Sequence, residues 1–217
     1  ATPEEIIEKL ELDLSKPIIL FTQHSVTTEF NDASTQIIPS LNAMVELAND
    51  GVQVICTYPN NDAGGRAIIS ELEKLDSKNI FGIQVHRSLG RYLYHGVLAL
   101  AKNESHQIAC VGNSSSGIKE TPVFGCPTVN IGSRQEGRLR GQNVIDVDYN
   151  ASNIVAVVKK CFYDDEFRDQ STATNNPYYL GDAGKKIADI LASIPLGKKI
   201  ICKKMTLRGE TKDGWYQ

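Results

Sequence analysis

Residues 111–134 read VGNSSSGIKETPVFGCPTVNIGSR. The stretch follows an apolar run at 108–111, opens on small and hydroxyl-bearing residues, and continues through a short helical candidate and a Gly–Cys–Pro turn. It closes on a second apolar run, Thr128–Ile131. Read as strand, turn, helix and strand, it puts residues 113–117 where a strand hands over to a helix. Backbone N–H groups left free at such a point, together with the helix dipole, attract anions. Asn113, Ser114, Ser115 and Gly117 lie there, and the serine hydroxyls add donors. Glu120 comes about one turn after Ser116, so the two can face the same mouth. A carboxylate is a poor phosphate ligand, and Glu120 is therefore read as an acceptor for sugar hydroxyls.

The same strand–loop–helix pattern repeats on both sides of this stretch. A helix over 3–10 leads to an unalternated apolar run at 17–21, as expected of a buried parallel strand. The polar loop 22–32 follows, and loops of this kind form the ligand crevice of parallel α/β sheets. It carries His24, which serves either as a loop-fixing hydrogen-bonding group or as a phosphate ligand or acid/base group. A helix over 34–47 contains Pro39, which predicts a start or kink inside it. A strand at 52–57 feeds YPNNDAGGR at 58–66, where Asn60, Asn61 and Asp62 suit either a helix cap or a polar ligand. A helix at 67–75, a strand at 80–85 and the basic loop HRSLGR at 86–91 come next, with Arg87 and Arg91 able to neutralise a diphosphate. A helix at 92–101 and a strand at 107–111 lead back to the opening stretch.

Beyond it, residues 132–141 read GSRQEGRLRG, with arginines at 134, 138 and 140. This is the densest basic patch in the chain, and guanidinium forks suit phosphate. A strand at Val144–Val147, helices at 152–161 and 164–168, a polar connector and a last helix at 183–194 complete the pattern. The tail 198–217, with an apolar run at 200–202, has no assigned place. Five or six short apolar runs separated by helices indicate a three-layer α/β domain with a mostly parallel sheet.

The 217 residues carry a formal net charge of −3, which does not fit a duplex nucleic-acid binder. No apolar run reaches 18 residues, so no membrane span is expected. The chain opens on Ala1 without a signal peptide, and its start leads to the expectation of a domain cut from something longer. Five cysteines without a CxxC pair read as reduced thiols of an intracellular, cytoplasmic protein. No GxGxxG follows the first strand, no GxxxxGK[ST] occurs, and no clustered Cys/His spacing calls for a metal. No cofactor is expected. GNSSSG also lacks the GxSxG pattern of a hydrolase elbow.

QHSVTTE at 23–29, YPNNDAGG at 58–65, SLGR at 88–91, GNSSSGIKE at 112–120, FGCPTVNIGSRQEGR at 124–138 and NNPYYLGDAGKKI at 175–187 resemble, in this order, the C-terminal domain of UDP-N-acetylglucosamine 2-epimerases. The wording is closest to the hydrolysing subgroup of sialic-acid biosynthesis. The resemblance covers residues 1–195, expected to form one Rossmann-like UDP-binding domain, with 196–217 as a tail. It implies the C-terminal half of a two-domain fold of the GT-B glycosyltransferase class, with UDP and UDP-N-acetylglucosamine as ligands. In that family UDP is eliminated with loss of the sugar C2 proton. In hydrolysing members water then adds to the 2-acetamidoglucal with inversion at C2, giving N-acetylmannosamine.

Carried over residue by residue, the resemblance implies that Ser114 and Ser115 hold the diphosphate. Glu120 would accept from the ribose, and His24 would act at the phosphate side on the leaving group or in proton transfer. Asn60, Asp62 and Arg134 would complete the UDP pocket. The family's N-terminal domain, with the acidic groups that work at C2, has no counterpart here. The expectation is therefore a chain inactive alone, and a full-length protein that is a homo-oligomer. Other readings are a non-hydrolysing epimerase, a GT-B glycosyltransferase domain, and a non-catalytic UDP-sugar sensor.

Overall fold

The run IILFT at Ile18–Thr22 (β1) is buried along its whole length, as a strand flanked by strands and covered on both faces must be. In the computed structural model, which describes residues 1–179 and 181–198 and the backbone pairs 211–212 and 215–216, β1 lies at the middle of a six-stranded parallel sheet. The other strands are Gln53–Thr57 (β2), Ile83–His86 (β3), Ile108–Gly112 (β4), Thr128–Ile131 (β5) and Val144–Val147 (β6), in the order β3-β2-β1-β4-β5-β6. β1 pairs with β2 from Ile18↔Gln53 to Phe21↔Cys56, and with β4 from Ile18↔Ile108 to Thr22↔Gly112.

Alternation along β1 sends its side chains to two cores. Ile19 and Phe21 pack with the helices Ala33–Asn49 (α2), Gly65–Asp76 (α3) and Ala151–Tyr163 (α7) through residues such as Ile37, Met44, Ile68, Leu72, Ile154 and Val158. Ile18 and Leu20 face the other way, toward Pro3–Leu10 (α1) and Gly90–Ala99 (α4), where Ile6, Leu10, Val97 and Leu98 meet them. Burying a side chain the size of Phe21 or Ile19 is worth roughly 1.5–3 kcal/mol, so the two clusters hold the three layers together. Short connections are set by local chemistry. Thr2 and Glu5 form a capping box at α1, Asn150 caps α7, and Asp164 caps Asp165–Thr172 (α8) through Phe167 N–H.

Several expected boundaries move. β3 begins at Ile83 rather than 80, because Ile80 is spent on a turn in which its carbonyl takes Ile83 N–H at 3.1 Å. Pro39 does not start α2, which begins at Ala33 and runs through it; in the turn ahead of the proline, the Gln36 carbonyl takes a donor from Gln23 Nε2 at 3.2 Å. The helical candidate after β4 is two short pieces, Ser116–Lys119 (α5) and Thr121–Phe124 (α6), broken at Glu120 (φ −104°, ψ −41°).

The chain divides into two units, residues 1–178 and 179–217. The second contains the helix Ala183–Ser193 (α9) and an antiparallel pair, Thr211–Lys212 (β7) with Trp215–Tyr216 (β8). The apolar run at 200–202 lies outside the described residues.

At the end of β4, Gly112 has φ +128°, and a Cβ there would sit 2.0 Å from the Thr22 carbonyl oxygen. Strained backbone and a clash with main chain coincide at the β1–β4 junction. Gly112→Ala is expected to lower stability by about 3 kcal/mol or more in a urea titration; a loss under about 1 kcal/mol would contradict this placement.

Candidate functional site

The strand order reverses between β1 and β4. Loops leaving those two strands diverge over opposite sides of the sheet and open a crevice at its carboxyl edge. Two groups of polar side chains occupy that edge.

The first group is built on Asn113, the residue after β4, which is completely buried. Its Oδ1 accepts His24 N–H at 2.6 Å and its Nδ2 donates to the His24 carbonyl at 2.8 Å. The carboxamide thus pairs with the backbone two residues beyond Thr22, the end of the β1–β4 ladder. The Asn113 carbonyl accepts from Arg134 Nη1 at 3.2 Å and from Gln135 Nε2 at 2.7 Å. Arg134 Nη2 lies 3.5 Å from Asp62 Oδ2. Asp62 accepts from Asn60 Nδ2 at 2.6 Å, and Asn60 N–H donates to His24 Nδ1 at 2.9 Å. His24, Asn60, Asp62, Arg134 and Asn113 therefore form a closed ring drawn from the loops after β1, β2, β4 and β5.

That ring fixes the state of His24. An Nδ1 that accepts an N–H carries no proton, so the neutral ring bears its hydrogen on Nε2 and can donate from there. Burial first, and then the Arg134 charge, lower its pKa to about 4, against the opposing pull of Asp62. At neutral pH the imidazole is a donor to an anion rather than a ready acid.

In the second group, Glu120 Oε2 accepts from Ser116 Oγ at 2.8 Å and lies 2.8 Å from His95 Nε2. Ser116 and Glu120 share one mouth, as their spacing predicts. They line a cleft of about 570 Å³ with Thr57, Tyr58, Arg87, Leu89, Arg91, Tyr94 and His95. Ser114 and Ser115 are half-buried and lie between Asn113 of the first group and Ser116 of the second. Ser114 Oγ accepts Ser116 N–H at 3.3 Å.

The structure refines three expectations. A dipole contribution from the helix after β4 is small, since α5 is only four residues long and the macrodipole grows with aligned peptides. Gly117 has its backbone N–H already engaged and its Cα against β5. Its N–H is taken by the Ser114 carbonyl at 3.1 Å, and a Cβ would meet Thr128 Cγ2 at 2.9 Å, so its small size serves packing against β5. The basic patch at 132–141 also splits. Arg140 pairs with Asp146 and donates to the Gln135 carbonyl, Arg138 is exposed, and only Arg134 joins the ring.

His95 was not singled out by the sequence. It lies 25 residues from its carboxylate partner, on α4, and only the fold brings the two together.

A family model for UDP-N-acetylglucosamine 2-epimerase matches residues 2–192. The chain is 35% identical over 147 residues to the GDP/UDP-N,N'-diacetylbacillosamine 2-epimerase (hydrolyzing) of Campylobacter jejuni, covering 68% of this chain and 36% of that protein. It is 34% identical over 160 residues to the UDP-N-acetylglucosamine 2-epimerase of Neisseria meningitidis, covering 70% and 39%. This chain therefore spans well under half the length of these two relatives. The structure of S. aureus MnaA with UDP superposes with a TM-score of 0.59 at 19% identity, over 86% of this chain and 46% of that one, a likeness of fold.

Because the folded chain refuses a proton at His24 that the unfolded chain accepts, stability present above pH 6.5 is lost as pH falls toward 4. The difference corresponds to roughly 3 kcal/mol. Urea titrations between pH 7 and 4 should show the wild type losing about that much more than His24→Gln; equal losses would contradict the neutral, Asn60-bound ring.

Proposed function

The chain belongs to the UDP-N-acetylglucosamine 2-epimerase family, and from that premise we propose that it is the UDP-binding half of a hydrolysing 2-epimerase. The observation that carries this reading is the polarity of the crevice. One end offers cation and donors, Arg134 and the Nε2–H of His24, and the other offers a carboxylate, Glu120. A nucleoside diphosphate has the matching order, anionic phosphates followed by a ribose bearing hydroxyls. Ser114 and Ser115 stand between, where further phosphate oxygens would lie. The cleft beyond Glu120, with Leu89 and Tyr94 in its wall, receives the base.

In this reading the chain's catalytic contribution is made at the leaving group. As the C1–O bond breaks, negative charge grows on the β-phosphate. A guanidinium and a neutral imidazole N–H already fixed by their ring of partners stabilise that charge without reorganising. Asn60 and Asp62 hold His24 and Arg134 in place and do not contact the sugar carbon. Removal of the C2 proton needs a base on the opposite side of the cleft, supplied by a second Rossmann-like domain. Residues 1–195 form the nucleotide-binding domain of the whole protein, a reading supported by the family match to residue 192. The whole protein is a cytoplasmic homo-oligomer in this proposal.

The hydrolysing outcome is favoured by the HSVTTE and IGSRQEGR wording and by the name of the Campylobacter relative. The Neisseria relative supports the second reading, an epimerase that returns UDP-N-acetylmannosamine. The two are separated by free UDP, which the full-length protein releases one-for-one with N-acetylmannosamine under the first reading and retains in the product under the second. The 217-residue chain alone, incubated with UDP-N-acetylglucosamine, is expected to yield no N-acetylmannosamine; detectable release would show that the C2 base lies within it.

A further inference from the structure

Glu120 stands at the break between α5 and α6, where no helical turn fixes its side chain. Two donors do so instead. Ser116 Oγ and His95 Nε2 both approach the same oxygen, Oε2, at 2.8 Å. A carboxylate only accepts, so the imidazole must present an N–H there. Both contacts fall on Oε2, so Oε1 takes part in neither, and Glu120 helps to line the 570 Å³ cleft. His95 is itself held. Its ring lies against Phe124 of α6, centroids 5.6 Å apart and tilted by 51°, and α4 anchors its backbone through buried Gly96, Val97 and Leu98.

We propose that His95 is a positioning residue for nucleotide binding: by taking Oε2 of Glu120 it aims Oε1 at the ribose hydroxyls. This role rests on the UDP-binding reading above. A long carboxylate side chain in a half-open cleft otherwise samples several rotamers, and each hydrogen bond to the ligand must then order it. Ser116 alone gives Oε2 a single tether. His95 adds a second from a different element, so the carboxylate is set before the ligand arrives. The effect acts through one acceptor atom and therefore through the hydroxyls it serves, not through the phosphates, which are met by the ring around His24 and Arg134.

Calorimetric titration of the full 217-residue chain with UDP and with 2′,3′-dideoxy-UDP tests this. The wild type should bind UDP more tightly than the dideoxy nucleotide. His95→Phe, which keeps a ring against Phe124 but removes the N–H, should weaken UDP by about tenfold and leave the dideoxy nucleotide within about twofold. His95→Gln, whose amide N–H can reach the same oxygen, should restore most of the UDP affinity. If the Phe variant does not fold, His95→Leu makes the same comparison. Equal weakening of both nucleotides, no weakening of either, or a Gln variant as poor as Phe overturns the role of His95 alone. Failure of the wild type to bind either nucleotide overturns the UDP reading, and this role with it.

Discussion

The side chain of Asn113 does what a further pair of strand residues would do. Parallel strands β1 and β4 part at Thr22 and Gly112 because their following helices lie on opposite faces of the sheet. Beyond that point the His24 N–H and carbonyl would be left without partners in a buried place, at a cost of about 1–3 kcal/mol for each unmet group. Asn113 meets both with one carboxamide, at 2.6 and 2.8 Å. Its own carbonyl is then free to collect Arg134 and Gln135 from the loop after β5. A single buried amide therefore fixes where an imidazole begins, where a guanidinium ends, and how far the crevice between them opens.

The electrostatic consequence, in the proposed reading, is a site prepared for an anion before one arrives. Arg134 and Asp62 are 3.5 Å apart, so the positive charge is oriented but only partly offset. Asn60, by donating its backbone N–H to His24 Nδ1, places the ring hydrogen on Nε2, while burial and the Arg134 charge keep the ring neutral. The contact that joins the two loops thus sets the tautomer, and burial sets the charge. Glu120 sits apart from this ring, with Ser116 and His95. Separating the acceptor end from the donor end prevents the carboxylate from neutralising the guanidinium. The separation follows from the chain path: Arg134 leaves β5, whereas Glu120 ends the turn that α5 makes after β4.

Much of this was legible in the sequence, and the reasons differ by residue. The strands could be read because buried parallel strands are unbroken apolar runs, and IILFT and VICT need no partner to announce themselves. His24, Asn60, Ser114 and Arg134 could be grouped because each follows such a run, and in a parallel sheet those positions share an edge. What could not be read was anything decided by a contact between distant segments. The pairing of His95 with Glu120 depends on how α4 crosses the turn after β4. Gly117 could be read as a glycine of the anion turn, but not as one against which Thr128 of β5 packs, with only 2.9 Å between a Cβ there and Thr128 Cγ2. Arg140 looked like a phosphate fork but is occupied by Asp146, which β6 delivers beside it. Pro39 reads as a helix start or kink by its backbone chemistry, and α2 begins six residues before it and runs on through it.

The central claim is that one crevice at the β1/β4 junction holds the nucleotide with its phosphates at the His24–Arg134 end and its ribose at Glu120. The most direct measurement is an amide and side-chain NMR map of this chain titrated with UDP and, separately, with inorganic diphosphate. UDP is predicted to perturb both groups, reaching His24, Asn60, Ser114, Ser115 and Arg134 as well as Glu120 and His95. Diphosphate is predicted to perturb the first group and leave Glu120 and His95 unmoved. Perturbations centred elsewhere, or a diphosphate map focused on Glu120, would contradict the assignment.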